Sequence, residues 1–143
     1  MRQSIIMGKL LHEFHTASFD RYEVLHSCAI RPDERSELIT HVCVFQTGVD
    51  QYPNADQAYL AIDIYDYHDS WLRSARMEKL LLAGLAEYWA LDIVEGNLTV
   101  YQPTAGVIKV VYDLEGHISP SSFPDVQIDL SELSEWVIDR EPG

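Results

Sequence analysis

One acid stands in the middle of an apolar, strand-like run. In YLAIDIYDY, which begins at residue 59, Asp63 lies between Ile62 and Ile64. Three of the chain's ten Lys and Arg residues, Arg73, Arg76 and Lys79, then follow within seven positions. A mid-strand carboxylate followed by a helix bearing cations is one way to assemble metal-dependent phosphodiester hydrolysis. The carboxylate holds Mg²⁺, the metal activates water, and a nearby cation stabilises the charge developing on phosphorus. The same residues equally make a structural ion pair of Asp63 with Arg73 or Arg76. Local residues alone leave both readings open.

Other chemistry-bearing residues carry less. His12 and His15 stand three apart, whereas zinc-binding helices favour two His four apart; with no third ligand evident, they read as a solvated helix face. Cys28 and Cys43 sit on strands able to pair, and read as two small core residues rather than ligands or a redox couple. The chain has no G-x-G-x-x-G, P-loop, C-x-x-C or G-x-S-x-G, so nucleotide-binding and serine-hydrolase readings lack motif support.

The elements that must position these residues follow from periodicity. Ile5, Ile6, Leu10, Leu11 and Phe14 recur at helical spacing over residues 3–16. Residues 22–30 are rich in strand formers, RPDERSE supplies a turn, and residues 38–46 read as the second strand of a hairpin. TGVDQYPNAD is a loop by its Gly, Pro, Asn and Asp content. In the next strand Leu60, Ile62 and Ile64 share one face, with Tyr59, Ala61, Asp63 and Tyr65 on the other. Residues 70–84 read as a helix through Met77, Leu80 and Leu81, ending with Gly84 near its C-cap. EYWALDIV is a buried strand entering a tight EGN turn; NLTVYQ and VIKVVYDL complete a meander. Asp129 with Glu132 fits a capping box for a last helix, SELSEWVI, with Ser131 a rival cap. The order predicts an α+β fold, a mixed sheet flanked by helices.

Composition bounds the rest. A length of 143 residues and 47% apolar content predict one domain, spanning 1–143, around one core. The net charge of −13 and pI near 4.6 argue against tight non-specific nucleic-acid binding, which needs a basic face. Acidity concentrates at the end of the chain, where six acids over residues 125–141 meet one cation, Arg140. Two cysteines make no disulfide framework, MRQSIIMGKLLHEFHTASF has no unbroken apolar core of a signal peptide, and no apolar run reaches membrane-spanning length. The expectation is a reduced, soluble, cytoplasmic protein with no membrane association.

The stretch DIYDYHDSWLRSARMEKLLLAGLAEYWALDI resembles the Uma-type family of bacterial restriction-endonuclease-like proteins, within the PD-(D/E)XK nuclease superfamily. That family's strand acid, helix cation, Gly, Tyr-Trp strand and terminal Asp fall without a gap on Asp63, Arg76, Gly84, Tyr88, Trp89 and Asp92. LTVYQ, the ISPSSFPDVQIDLSEL segment and the N-terminal helix and hairpin also match its shape, though an extra N-terminal hairpin usual in the family is absent. The resemblance implies a restriction-endonuclease-like core and a Mg²⁺- or Mn²⁺-dependent endonuclease.

Departures from the family pattern fall on the catalytic positions. The family's Pro-Asp pair falls on Thr40 and His41, while Pro32-Asp33 is a decoy in the preceding turn. The strand Glu is Asp63, the helix Lys is Arg76, and an Asp four residues earlier is Leu72. His41 cannot supply the hard anionic oxygen Mg²⁺ prefers, though imidazole suits Mn²⁺ or Zn²⁺. Arg76 can stabilise a phosphate but cannot accept or give up a proton to help water attack. Lys79, one turn on, is the candidate to take over the lysine's role. The reading is a catalytically degenerate nuclease-fold protein without a cofactor, acting by binding as a homodimer or a subunit of a larger assembly. The alternative is an active endonuclease using Asp63, Arg76 and Lys79, with metal held by Asp63, the Ile64 carbonyl and His41. Two geometric expectations follow: Asp63 pairs with Arg76, and His41 projects toward Asp63.

Overall fold

The computed structural model describes residues 2–49, 52–67, 70–103 and 106–136. Helix α1 (Arg2–Thr16) leads into strands β1 (Glu23–Asp33) and β2 (Ser36–Phe45), then a 3-10 turn (Ala55–Gln57) and β3 (Ala58–Tyr65). Helix α2 (Ser70–Leu82) crosses over to β4 (Tyr88–Asp92), and β5 (Asn97–Pro103) and β6 (Val107–Asp113) follow. A short ribbon, β7 (His117–Ile118) with β8 (Ile128–Asp129), precedes α3 (Leu130–Ser134).

The six long strands form one sheet in chain order, β1 to β6. Every neighbouring pair is antiparallel except β3 and β4, which are parallel because α2 returns the chain to the same end. The expected α+β fold with a mixed sheet is what forms. Both faces are covered. Ile6, Leu10 and Phe14 of α1 pack with Val42, Ile62, Trp89 and Leu91 on one face, and Met77, Leu80 and Leu81 of α2 pack with Cys43, Ala61, Tyr88 and Ala90 on the other. That double covering explains why β3 and β4 are almost wholly buried, and why EYWALDIV reads as a continuous apolar run.

Two local details set the frame for the site. The end of α2 is a Schellman cap: Gly84, at φ +109°, donates its N–H to Leu81, and Leu85 donates to Leu80. A Cβ at Gly84 would stand 2.8 Å from the Asp56 Cβ, so the glycine also lets the turn before β3 approach the helix. In β1, Val24 packs on the α1 face and Cys28 on the α2 face, although their spacing would put both on one side. Ser27 between them has φ +47°, and this left-handed residue turns the strand over.

The structure sharpens several expectations. The hairpin turn shrinks from seven residues to Glu34 and Arg35, because the Asp33 carboxylate accepts the Arg35 N–H and the Ser36 hydroxyl and closes the chain tightly. Pro32 sits within β1 where the register shifts, on an edge strand that tolerates a missing N–H. Asp129 caps α3 by accepting from Ser131 and Glu132, so it and not Ser131 is the N-cap. Its own N–H goes to Glu13 of α1 and not back to Glu132, so the reciprocal half of a capping box is replaced by a tertiary bond. The helix is shorter than SELSEWVI, and residues 137–138 of that segment lie outside the described residues, as does Arg140. The β7–β8 ribbon has two residues per strand, too short to show as a sequence period. Among the described residues no helix is long and apolar enough to cross a membrane.

Candidate functional site

Strand alternation and the parallel register bring the polar residues together. Asp63 and Tyr65, two apart on β3, share a face. The register pairs Ala61 with Tyr88, Asp63 with Ala90 and Tyr65 with Asp92, so Tyr88 and Asp92 of β4 present to that same face. Helix α2 lies over it, and Arg73 and Arg76, three apart, descend from one side of the helix onto these four residues.

Arg76 makes a two-pronged pair with Asp63: Nε donates to Oδ2 at 2.8 Å and Nη2 to Oδ1 at 3.2 Å. Nη2 also donates to the Ile39 carbonyl at 2.6 Å, tying α2 to β2. The Tyr88 hydroxyl donates to Asp63 Oδ2 at 2.5 Å and lies 2.7 Å from the Tyr65 hydroxyl. The Asp63 side chain is 4% exposed and that of Arg76 19%. Burial pushes the Asp63 carboxyl up, but the charge and hydrogen bonds of Arg76 and the Tyr88 hydroxyl outweigh it and hold the carboxyl below its ordinary range. Burial and the adjacent Asp63 charge push the Tyr65 phenol up to about 12 and Tyr88 well above its usual value, so both stay protonated donors. Arg76 loses to desolvation but gains more from Asp63, and its value rises.

Arg73 makes the neighbouring pair. Its Nη2 donates to Asp92 Oδ2 at 3.0 Å and its guanidinium lies 4.4 Å from the Tyr65 ring centroid. The other Asp92 oxygen accepts the N–H groups of Val94 and Glu95, closing the EGN turn. Asp92 is thus a turn-closing residue with a cation attached, its carboxyl held low by those contacts against the opposing effect of burial.

His41 projects toward Asp63, as expected: Nδ1 is 3.7 Å from Oδ1. The shorter contact is elsewhere. Nδ1 accepts the Ile64 backbone N–H at 3.0 Å, so in this geometry Nδ1 carries no proton and the imidazole stands in for a ladder partner that β2 no longer provides. The Ile64 carbonyl accepts from the Gln3 amide of α1 at 3.0 Å. Lys79 lies apart from this group, with its ammonium on the Ser36 hydroxyl at 3.3 Å beside the β1–β2 turn. An open cleft of about 320 Å³, lined by Gln3, Ile39, His41, Tyr67, Leu72 and Arg76 among others, leads to the Asp63 carboxylate.

The divalent ion that the family resemblance implies does not fit these residues. Both Asp63 oxygens are taken by a guanidinium, the Ile64 carbonyl by an amide, and the His41 nitrogen nearest the site by a backbone N–H. Among the described residues no group of three or more His, Cys, Asp and Glu side chains is arranged to hold a metal. Mg²⁺ favours several hard oxygens, and the buried Asp63 carboxylate is already chelated by a cation.

Sequence reasoning brought Asp63, Arg76 and His41 together and missed the rest of the network. Tyr65 and Tyr88 were findable, because alternation on β3 and the family's Tyr-Trp strand both pass through this face. Gln3 was not, since nothing local ties residue 3 to residue 64. Glu87 is a third buried carboxylate, beside Asp63 and Asp92, and sequence reasoning passed over it. It is 1% exposed and accepts from Trp89 Nε1, Gln102 and both the N–H and hydroxyl of Ser121, which fastens the loop after β7 to the sheet.

No family model and no curated protein matches the sequence. The fold matches a crystal structure described as a putative nuclease belonging to DUF820 from Anabaena variabilis ATCC 29413, with a TM-score of 0.77 over 96% of this chain and 83% of that one. The identity is 14%, so the likeness is one of fold. The chain therefore has the architecture of that protein.

Proposed function

We propose that this chain is a nuclease-fold protein that has lost cleavage and acts by binding, as a homodimer or as a subunit of a larger assembly. The observation that carries this reading is the two-pronged grip of Arg76 on Asp63, with Tyr88 on the same carboxylate. A guanidinium in that position neutralises the Asp63 carboxylate, and, always charged, it cannot serve as a base toward water. The net charge of −13 favours a protein partner over nucleic acid. The rival reading, a metal-dependent endonuclease, draws on the shared fold.

The test is direct. Purified protein with Mg²⁺ or Mn²⁺ is incubated with supercoiled, linear and single-stranded DNA beside a metal-free control. No cutting above the control is expected. Efficient cutting that disappears in Asp63→Ala would overturn the proposal in favour of the nuclease.

A further inference from the structure

Strand β6 is the outer strand of the sheet and is bonded only to β5. All seven of its residues are exposed, on both faces, and Val107, Ile108, Val110, Val111 and Tyr112 stand between 40% and 54% exposed. Proteins protect such edges with proline, bulges or charge, because the free N–H and C=O groups template pairing with another chain. The opposite edge, β1, is protected: it carries Pro32, a register shift and the left-handed Ser27. The β6 edge has no proline and runs in unbroken register along β5 from Asn97 to Pro103.

The sequence of β6 is complementary to itself. An antiparallel two-fold pairing centred on Val111 sets Lys109 opposite the partner's Asp113, and Asp113 opposite the partner's Lys109. Val110 then meets the partner's Tyr112, and Val111 meets the partner's Val111. The only two charges on the strand are thereby both matched, in a chain whose overall charge of −13 would otherwise repel its copy. Val110 and Tyr112 pair with the buried Val100 and Leu98 of β5, so the apolar layer under α1 continues toward the edge and across it.

We propose that β6 pairs antiparallel with β6 of a second copy in this register, joining two sheets into one. The proposal deepens the binding reading above and rests on its homodimer branch. Its readout is mass, whereas that reading is tested by cutting, so the two fail separately.

The full chain is examined by sedimentation velocity over a concentration series. The wild type is expected to run as a dimer. Lys109→Asp sets Asp against Asp at both pairs and Asp113→Lys sets Lys against Lys, so each variant is expected to dimerise about tenfold more weakly. An equimolar mixture of the two variants restores matched charges and is expected to form the heterodimer. Lys109→Asp with Asp113→Lys in one chain is expected to regain the homodimer. These rescues also show that the single variants are folded. A wild type that stays monomeric at its highest soluble concentration overturns the proposal, as does a dimer indifferent to both single substitutions or a mixture that fails to associate.

Discussion

Arg76 and Asp63 form a closed, two-pronged ion pair between helix α2 and strand β3, with Nε on Oδ2 at 2.8 Å and Nη2 on Oδ1 at 3.2 Å. Helix and strand thereby share a charge pair at the point where a hydrolytic site would need a free carboxylate. The Tyr88 hydroxyl adds a donor to Asp63 and the Ile39 carbonyl an acceptor to Arg76, which offsets part of the cost of burying the pair.

Removing one partner leaves the other charged and buried. Asp63→Ala is expected to destabilise the fold by about 3 kcal/mol, since Arg76 would keep its charge with only the Ile39 carbonyl to answer it. Urea denaturation of wild type and variant measures the difference. A urea midpoint unchanged in the variant would contradict the structural weight placed on the pair.

The same pair fixes a pH window. The folded Asp63 carboxyl titrates below its unfolded value, which is about 3.9. A group whose value is depressed by folding contributes stability that is fully present above the unfolded value and lost as pH falls through the folded one. The advantage of wild type over Asp63→Asn is therefore expected to be constant from neutral pH down to about 5 and to shrink only below about 4. An advantage that disappears near pH 6 would mean that ionisation of the Asp63 carboxyl does not set the window.

How far the sequence speaks depends on the range of each interaction. Alternation placed Asp63 and Tyr65 on one strand face, and helical spacing set Arg73 and Arg76 on one side of α2, because both rules act within a few residues. Gly84 as the helix stop was legible for the same reason. The ownership of the Asp63 charge was not legible from local residues, which left Arg73 and Arg76 as equal claimants; the family resemblance chose Arg76, and the structure agrees, with Asp92 brought under Arg73 by the parallel register. The His41 tautomer and the Gln3 contact depend on where β2 stops pairing with β3 and how α1 crosses the sheet. No short-range pattern encodes either.

Gly84 joins helix stop to tight packing. Gly84→Ala would hold an L residue at φ +109° and place its Cβ 2.8 Å from the Asp56 Cβ. Strain of that kind costs about 1–3 kcal/mol. The expected result is a lower denaturation midpoint with an unchanged slope. An equal midpoint would show that the turn at residue 56 yields freely.

The last prediction concerns rebuilding a metal site. His41→Asp, Asp63→Glu and Arg76→Lys together place two carboxylates beside the cleft and replace the fork of the guanidinium with a single point charge that cannot chelate both oxygens. The substitutions also remove the imidazole that satisfies the Ile64 N–H, so some loss of stability is expected beside any gain in function. Binding of Mn²⁺, read by electron paramagnetic resonance, is expected in the triple variant and not in the wild type. Adding Gln3→Ala releases the Ile64 carbonyl and is expected to tighten that binding further. A trace of Mg²⁺-dependent nicking of supercoiled DNA in the rebuilt chain would follow from the same change. Equal Mn²⁺ binding by wild type and triple variant would show instead that the Arg76 grip on Asp63 opens readily, and would remove the chief support for a non-cleaving protein.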